Sequence, residues 1–235
     1  MLSKRSREPE LIDLGTSYYT AAEYRDCLYN LDRIGRFLGG NRATFKALNK
    51  LKFIPVSILD VGCGSGQFTI SLAEHYPEAK IEGIDISDEA IEIARENLKK
   101  ANNTLPNIQF FSSYLHEIPR QFDLVTATLV THHLSDDELI SFLRQACQTA
   151  KRAVILNDLH RHFLASLSFN LISPILFRNR LIKHDGSLSI RRAFTRQDWW
   201  RYLEAAGINK KACSITWHWA FRWIVRIDIS RKPFE

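Results

Sequence analysis

The sequence predicts an α/β protein with a doubly wound, mostly parallel seven-stranded sheet that closes with an antiparallel hairpin at its C-terminal edge. From residue 57 onward, short apolar runs alternate with amphipathic segments of helical length, a pattern typical of parallel β-α-β units. A glycine-rich turn follows the first apolar run. The last apolar stretch alternates with a period of two, which indicates paired strands. At 235 residues the chain is long enough to bury a core of its own.

The elements follow in order along the chain. Residues 10–50 are predicted to be helical, since apolar residues recur there at spacings of three and four up to a break at Gly39 and Gly40. We take residues 1–50 as an N-terminal helical cap and residues 51–235 as the main domain. The five predicted parallel strands are SILDVG, KIEGIDI, NIQFF, FDLVTATLV and AVILND.

An insertion at about residues 159–190 interrupts this rhythm. Its apolar part, FLASLSFNLISPILF, has three interpretations: an ordinary core helix, a lid over an apolar pocket, or a helix on a membrane surface. Basic residues flank it, which permits the third: Arg161, Arg178, Arg180 and Lys183. A helix is then expected to start at Thr195, with Asp198 completing its cap. The segment ACSITWHWAFRWIVRIDI is the predicted closing hairpin.

The composition favours a cytoplasmic protein. Lys and Arg exceed Asp and Glu by six, a mild basic excess that favours an anionic partner only weakly. The four cysteines lie far apart without a C-x-x-C pair, so we expect reduced thiols, no disulfide framework and no metal site. No secretory signal and no membrane span are expected. The oligomeric state is left open.

The glycine-rich stretch ILDVGCGSGQFT marks a ligand site. Gly62, Gly64 and Gly66 follow the first strand, where an open α/β sheet binds its ligand. Asp85 ends the second strand and can accept the hydroxyls of a ribose. Asp60 beside the loop is unsuited to a phosphate but suits an ammonium group, and the third glycine comes one residue too early for a dinucleotide fingerprint. The pattern therefore disfavours a nicotinamide cofactor.

With the glycine stretch, IEGIDIS and FDLVTATLVTHHL, residues 57–160 resemble the class I S-adenosylmethionine-dependent methyltransferases. The resemblance implies that S-adenosylmethionine is the cofactor and that Asp85 binds its ribose while Ile86 packs on its adenine. It also implies a set of residues around the methionine part: Asp60, Gly62, Cys63, Gly64 and Gly66. Ser113 and Tyr114 stand where the family usually has Gly-Asp, so adenine would be held by backbone groups or by Tyr114. Thr128, at the end of the fourth strand, completes the expected donor contacts.

Histidines after the fourth and fifth strands are the candidate catalytic groups. Methyl transfer to an oxygen needs alignment and benefits from a base that is active near neutral pH. We expect His160 to be this base, with Asp158 on the same side of the chain to orient it, and His133 as the next candidate. His132 is an equal alternative to His133, although either can also serve only in packing. A second polar cluster, His184, Asp185, Arg191 and Arg192, is either a solvated loop around Gly186 or part of an acceptor pocket.

A second resemblance concerns the acceptor. The strings EPELID, NDLHRH and HDGSLSIRRAFT are similar to a bacterial branch near the ubiquinone and menaquinone methyltransferases, which implies phenolic or polyketide-derived substrates. We therefore predict methyl transfer to a hydroxyl or aromatic carbon of an apolar, phenolic or quinol-like small molecule. We expect no nucleic-acid partner and leave a peripheral membrane contact open.

Three other functions stay open at this point. One is an RNA or protein methyltransferase, for which Trp217, Trp219 and Trp223 could stack on bases. Their alternation in a hairpin instead predicts that they bury one face of the sheet. A catalytically silent S-adenosylmethionine-binding protein is another, and a nicotinamide dehydrogenase is the least favoured of the three.

Overall fold

The computed structural model describes residues 4–101 and 107–234. The helices are α1 (Ala21–Phe37), α2 (Gly40–Leu48), α3 (Gln67–His75), α4 (Asp88–Lys100), α5 (Asp136–Thr149), α6 (Phe163–Leu176), α7 (Arg180–Arg192) and α8 (Arg196–Ala205). The strands are β1 (Ser57–Val61), β2 (Lys80–Asp85), β3 (Ile108–Ser112), β4 (Phe122–Thr128), β5 (Ala150–Leu159), β6 (Cys213–His218) and β7 (Arg222–Asp228).

The strands form one seven-stranded sheet in the order β3-β2-β1-β4-β5-β7-β6. Strands β1 to β5 pair in parallel, whereas β7 runs antiparallel to both β5 and β6. This arrangement confirms the predicted fold class, including the hairpin at the C-terminal edge. The strand order reverses at β1 and β4, so a crevice for ligands opens beyond the carboxyl ends of these two strands.

Two apolar clusters hold the sheet between its helices. On one face, α5 and α8 bury Leu139, Leu143 and Trp199 against the strands. On the other face, α2, α3 and α4 bury side chains that include Leu72 and Ile91. Because both faces are covered, the central strands read as continuous apolar runs rather than as alternating ones.

The predicted helix start at Thr195 is confirmed, and α5 begins with the same kind of cap. The hydroxyl of Ser135 accepts the backbone N–H of Glu138 at the start of α5, and the hydroxyl of Thr195 accepts that of Asp198 at the start of α8. In both caps the acidic side chain binds back to the backbone N–H of the capping residue. Each cap contributes about 1 kcal/mol, so these two boundaries are set locally by the sequence.

The N-terminal region and the insertion lie at the carboxyl ends of the strands. Residues 4–14, which we call the strap, run across α7, where Ser6 N donates to Arg191 O at 3.0 Å. Helices α6 and α7 occupy the predicted insertion and pack on each other and on α1. The division into a cap of residues 1–50 and a main domain stays a prediction.

Helix α6 is not an ordinary core helix. Its outward side chains, among them Leu164, Leu171 and Ile175, are exposed, while Ala165 and Ser173 are buried. The core-helix interpretation is therefore wrong. Apolar residues occur on all sides of α6, so the sequence alone does not reveal that the rest of the protein covers only one side of this helix. Over residues 4–101 and 107–234, every helix is too short or too polar to cross a bilayer.

Candidate active site

The glycine loop joins β1 to α3, and its three glycines serve different purposes. All three have positive φ, 67° at Gly62, 52° at Gly64 and 74° at Gly66. A Cβ added to Gly62 would lie 2.3 Å from Val130 Cγ2, and one added to Gly66 would lie 2.7 Å from Phe110 Cζ. At Gly64 the nearest atom would be Leu28 Cδ2, at 3.8 Å. Packing therefore requires glycine at the first and third positions, whereas the second faces space that a ligand can enter.

Asp85 lies at the end of β2, next to this loop. Its Oδ2 accepts the backbone N–H of Gly64 at 2.9 Å, and its Oδ1 accepts that of Ser87 at 3.0 Å. Burial raises the pKa of this carboxyl above its ordinary value. Each oxygen keeps a further lone pair, so the carboxylate can accept the two hydroxyls of a ribose. The adjacent Ile86 is 68% exposed, as a side chain that packs on a bound adenine would be.

Asp60 is buried within the sheet. Its Oδ2 accepts from the hydroxyl of Thr69 at 2.7 Å and its Oδ1 from that of Thr126 at 2.9 Å. Burial raises the pKa of Asp60 to about 6. These contacts tie the end of β1 to α3 and β4, and its expected contact with an ammonium group stays a prediction. The thiol of Cys63 is likewise buried, and its backbone N–H donates to Ile84 O at 3.0 Å.

The remaining expected donor contacts lie at the same edge of the sheet. Ser113 N donates to Asp85 O at 3.0 Å, and the Ser113 hydroxyl contacts Glu117 Oε2 at 3.0 Å. Tyr114 follows with a side chain that is 54% exposed. Thr128 Oγ1 is buried and has no hydrogen-bond partner among the residues that the structure describes. An open space at Gly64, the lone pairs of Asp85 and this unpaired hydroxyl fit S-adenosylmethionine.

Helix α1 covers the loop from the solvent side. The hydroxyl of Ser65 donates to Asp32, whose pKa is raised to about 6 by burial. Tyr24 and Leu28 of α1 are buried against Ala90 and Ile93 of α4. A ligand at the loop would therefore be enclosed by the N-terminal helix.

A cavity of about 540 Å³ adjoins this region. It lies between α1, α6, α7 and the β6–β7 turn, and most of its lining is apolar. Its apolar lining includes Leu31, Ile34, Phe37, Phe169, Ile172, Leu176, Ile182, Trp219 and Phe221. The size lies within the range of roughly 300–1,000 Å³ that small-molecule pockets have.

One side of the cavity is polar and consists of Glu10, His132 and His133, which we call the polar wall. The two histidines follow β4 in a short 3-10 helix (Thr131–His133), after Leu129 turns the chain through a left-handed conformation with φ 59°. Glu10 comes from the strap and is only 2% exposed.

Asp185 of α7 and Ser189 fix Glu10 in the polar wall. The Asp185 carboxylate accepts the backbone N–H of Leu11 at 2.9 Å and that of Ile12 at 3.1 Å. The hydroxyl of Ser189 contacts Glu10 Oε2 at 2.9 Å. The strap is therefore anchored on both sides of Glu10, so its carboxylate stays inside the cavity.

A carboxylate orients each histidine of the polar wall, and the one that contacts His132 is buried. His132 Nδ1 lies 2.6 Å from Asp158 Oδ1, and His133 Nδ1 lies 2.8 Å from Asp13 Oδ1. Burial alone would raise the pKa of Asp158, but the charge and hydrogen bond of His132 outweigh it and lower that pKa to about 2. Burial would lower the pKa of His133, but the carboxylates of Glu10 and Asp13 outweigh it and raise that pKa to about 9.

The expected pairing of Asp158 with His160 is wrong. Asp158 binds His132 through both the ring and the backbone N–H, the latter at 3.0 Å. β5 ends at Leu159, so strand alternation no longer determines where the His160 ring lies. His160 Nδ1 instead accepts Trp217 Nε1 at 3.2 Å, and burial, assisted by nearby His162 and Arg161, lowers the pKa of His160 to about 4. His160 still lines the cavity, so its catalytic role stays a prediction, as does that of His133.

Two further expectations need correction. Gly186 lies inside α7 rather than in a loop, and Asp185 and Gly186 both line the cavity, while an acceptor-pocket role of the cluster stays a prediction. The tryptophans do not share one buried face: Trp223 is buried and donates to Phe194 O at 3.0 Å, whereas Trp217 and Trp219 are exposed. The turn between the strands carries Trp219 away from the sheet and to the cavity mouth.

Glu10 was missed by the sequence analysis. It lies 122 residues before His132 in the chain, and no local spacing connects the two. The only local signal for Glu10 is the string EPELID, whose resemblance to known methyltransferases does not single out a site residue.

Comparison with known proteins agrees with this geometry. Residues 58–153 match a family described as a methyltransferase domain. The ubiquinone biosynthesis O-methyltransferase of Azoarcus sp. (strain BH72) is 34% identical over 158 residues, which cover 65% of this chain and 64% of that protein. The ribosomal protein L11 methyltransferase of Geotalea uraniireducens (strain Rf4) is 38% identical over 80 residues, which cover 34% of this chain and 25% of that protein. The chain thus spans from a quarter to just under two thirds of these curated relatives.

Among solved structures, the plantazolicin methyltransferase BpumL, in complex with a triazolic desmethylPZN analog and SAH, aligns with a TM-score of 0.68. The alignment covers 92% of each chain at 17% identity and therefore shows a shared fold. Residues 58–153 therefore form a methyltransferase domain, for which S-adenosylmethionine is the cofactor, and the chain as a whole has the fold of the solved methyltransferase.

Proposed function

We propose that this protein transfers a methyl group from S-adenosylmethionine to a hydroxyl oxygen or an aromatic carbon of an apolar, phenolic or quinol-like small molecule. The observation that carries the proposal is the largely apolar cavity of about 540 Å³ with the polar wall on one side. An apolar body fits the lining from α1, α6 and α7, and a hydroxyl group fits Glu10, His132 and His133.

The chemistry of such a transfer suits this layout. Bound S-adenosylmethionine supplies an electrophilic methyl group on a sulfonium. The acceptor atom forms a bond to that carbon while the carbon–sulfur electron pair stays on sulfur, so the protein mainly aligns the two reactants and excludes water. The polar wall binds the acceptor hydroxyl and favours loss of its proton, because a phenol has a reference pKa of about 10 and reacts as the phenolate.

The covering elements supply the alignment. Helix α1 reaches from the donor loop, through Asp32 and Ser65, to the cavity, through Leu31 and Ile34. Donor and acceptor therefore lie under the same helix. Helix α6 contributes Phe169 and Ile172 to the cavity, and we propose that it acts as a lid.

The relatives support the class of acceptor. The Azoarcus protein is named for O-methylation in ubiquinone biosynthesis, and this chain matches it over a longer stretch than it matches the L11 methyltransferase. An RNA or protein acceptor would need an open groove, whereas this cavity lies beneath α1 and α6. We also propose a cytoplasmic location, which the four free cysteines support.

The test is to incubate the protein with methyl-labelled S-adenosylmethionine and a cell extract, then to separate organic-soluble, RNA and protein fractions. We expect label in the organic fraction and none with the Asp85→Ala variant. Label only in RNA or protein would overturn the proposal. No label in any fraction, from protein that binds S-adenosylhomocysteine in calorimetry, would indicate a silent binding protein instead.

A further inference from the structure

We propose that Glu10, His132 and His133 together bind one divalent cation of the zinc class. His132 Nε2 lies 3.8 Å from Glu10 Oε1, and His133 Nε2 lies 4.0 Å from Glu10 Oε2. With one ligand atom from each residue, all three atoms lie within 4.8 Å of one another. These separations are too long for hydrogen bonds. Ligands of one tetrahedral zinc lie roughly 3.4 Å apart, given bonds of about 2.1 Å, so small side-chain shifts would close the site.

Both histidines have the orientation that metal ligands need. A carboxylate only accepts hydrogen bonds when ionised, so the contacts with Asp158 and Asp13 place the proton of each ring on Nδ1. Each Nε2 then faces Glu10, and a metal ion would displace the second proton that the raised pKa places on the His133 ring. A carboxylate bound to the far nitrogen of the ring is the usual support of a metal-binding histidine.

Glu10 gives independent support for a ligand. Its Oε1 is buried and, over residues 4–101 and 107–234, has no hydrogen-bond partner. A buried carboxylate oxygen without a partner is costly. A cation between the two rings and this oxygen would remove that cost.

The charges around the site also favour a cation. Three carboxylates face the two rings: Glu10, Asp13 and Asp158. Arg192 lies 3.8 Å from Glu10 and 3.9 Å from Asp13, and its Nε donates to the backbone O of His132. Arg5 is paired with Asp136 instead. The three carboxylates outnumber Arg192, so the charges that face the two rings favour a bound cation.

The location of the site suggests its purpose, and this step rests on the proposed function. Two histidines and one carboxylate leave coordination positions open, and the polar wall faces the acceptor cavity. A phenolic oxygen, or two neighbouring oxygens of one acceptor, could take those positions. The ion would stabilise the deprotonated acceptor as a Lewis acid.

The test measures metal binding without donor or acceptor. The protein is treated with a chelator, dialysed and titrated with Zn²⁺ in calorimetry, and bound metal is counted by mass spectrometry. We expect one zinc per chain. The zinc affinity should fall more than about 100-fold in Glu10→Gln and in the double variant His132→Ala/His133→Ala. It should fall about 10- to 100-fold in Asp13→Asn, which removes only the support of one ligand. The exposed His75→Gln serves as the matched control and should keep wild-type binding.

Two measurements keep the test decisive if a variant is unstable. Co²⁺ added to the wild-type chain should give the visible absorption of a tetrahedral site with nitrogen ligands, and each variant should bind S-adenosylhomocysteine as the wild type does. If the wild type shows neither bound zinc nor the cobalt spectrum, the proposal is overturned. It is also overturned if Glu10→Gln and the double variant bind zinc with the affinity of the wild type. Because neither measurement involves methyl transfer, failure of this site and failure of the proposed function give different results.

Discussion

Asp85→Asn is the substitution that most directly tests the donor site. The two oxygens of Asp85 each hold one backbone N–H, from Gly64 and from Ser87, and the remaining lone pairs are proposed to bind the ribose hydroxyls. Asparagine keeps the size of the side chain but has one oxygen in place of two and no charge. It therefore loses one hydrogen bond to a charged acceptor, about 1.5–3 kcal/mol, and weakens the other by about 1 kcal/mol.

The total, about 3 kcal/mol, corresponds to a loss of roughly 100-fold in affinity. Calorimetry with S-adenosylhomocysteine measures it without turnover. The matched control is Asp88→Asn, an exposed carboxylate three residues along the chain, for which we expect an unchanged affinity. An Asp85→Asn variant that is folded and binds within about threefold of the wild type would refute the placement of the ribose.

Other substitutions test the packing, the pH dependence and the polar wall. Gly66→Ala should destabilise the protein by about 2–5 kcal/mol in urea unfolding, because of left-handed strain and the clash with Phe110. Gly207 has φ 75°, and no atom of the described residues lies within 4 Å of a Cβ added there, so Gly207→Ala should cost only the strain. Equal losses in the two variants would contradict the packing argument. The pKa of Asp60 is raised to about 6, so the folded state holds this proton more tightly, and the stability of the wild type relative to Asp60→Asn should fall by up to about 3 kcal/mol between pH 4 and pH 7. A pH-independent difference in urea unfolding would contradict that assignment. His132→Ala should lower turnover by about 100-fold or more while leaving donor affinity unchanged, and a normal rate would remove the polar wall from the mechanism.

Local signals explain what the sequence could predict. The strands, the glycine loop and the helix start at Thr195 each depend on residues within a few positions of one another. Gly66 illustrates why this worked, because its left-handed conformation is a consequence of the tight turn between β1 and α3. The motif therefore identifies the donor loop without any knowledge of distant contacts.

The acceptor side could not be predicted in the same way. The partner of Asp158 was misassigned because the alternation of β5 stops at Leu159, and the next residue is placed by bridges to Phe194 and Phe221 instead. The sequence does not predict which face of α6 is exposed, because apolar residues occur on every side of this helix. Both errors arise where tertiary contacts, rather than a regular period, determine the orientation of a side chain.

The polar wall and its supports bring together the three sequence strings that carry the second resemblance. EPELID carries Glu10, NDLHRH carries Asp158 and HDGSLSIRRAFT carries Asp185. Asp185 holds the backbone on the C-terminal side of Glu10, and Asp158 holds the ring that faces Glu10. Each string thus supplies one carboxylate whose partner belongs to a different part of the chain. Because these contacts span up to 179 residues of sequence, from Glu10 to Ser189, the site is completed only when the strap docks on α7.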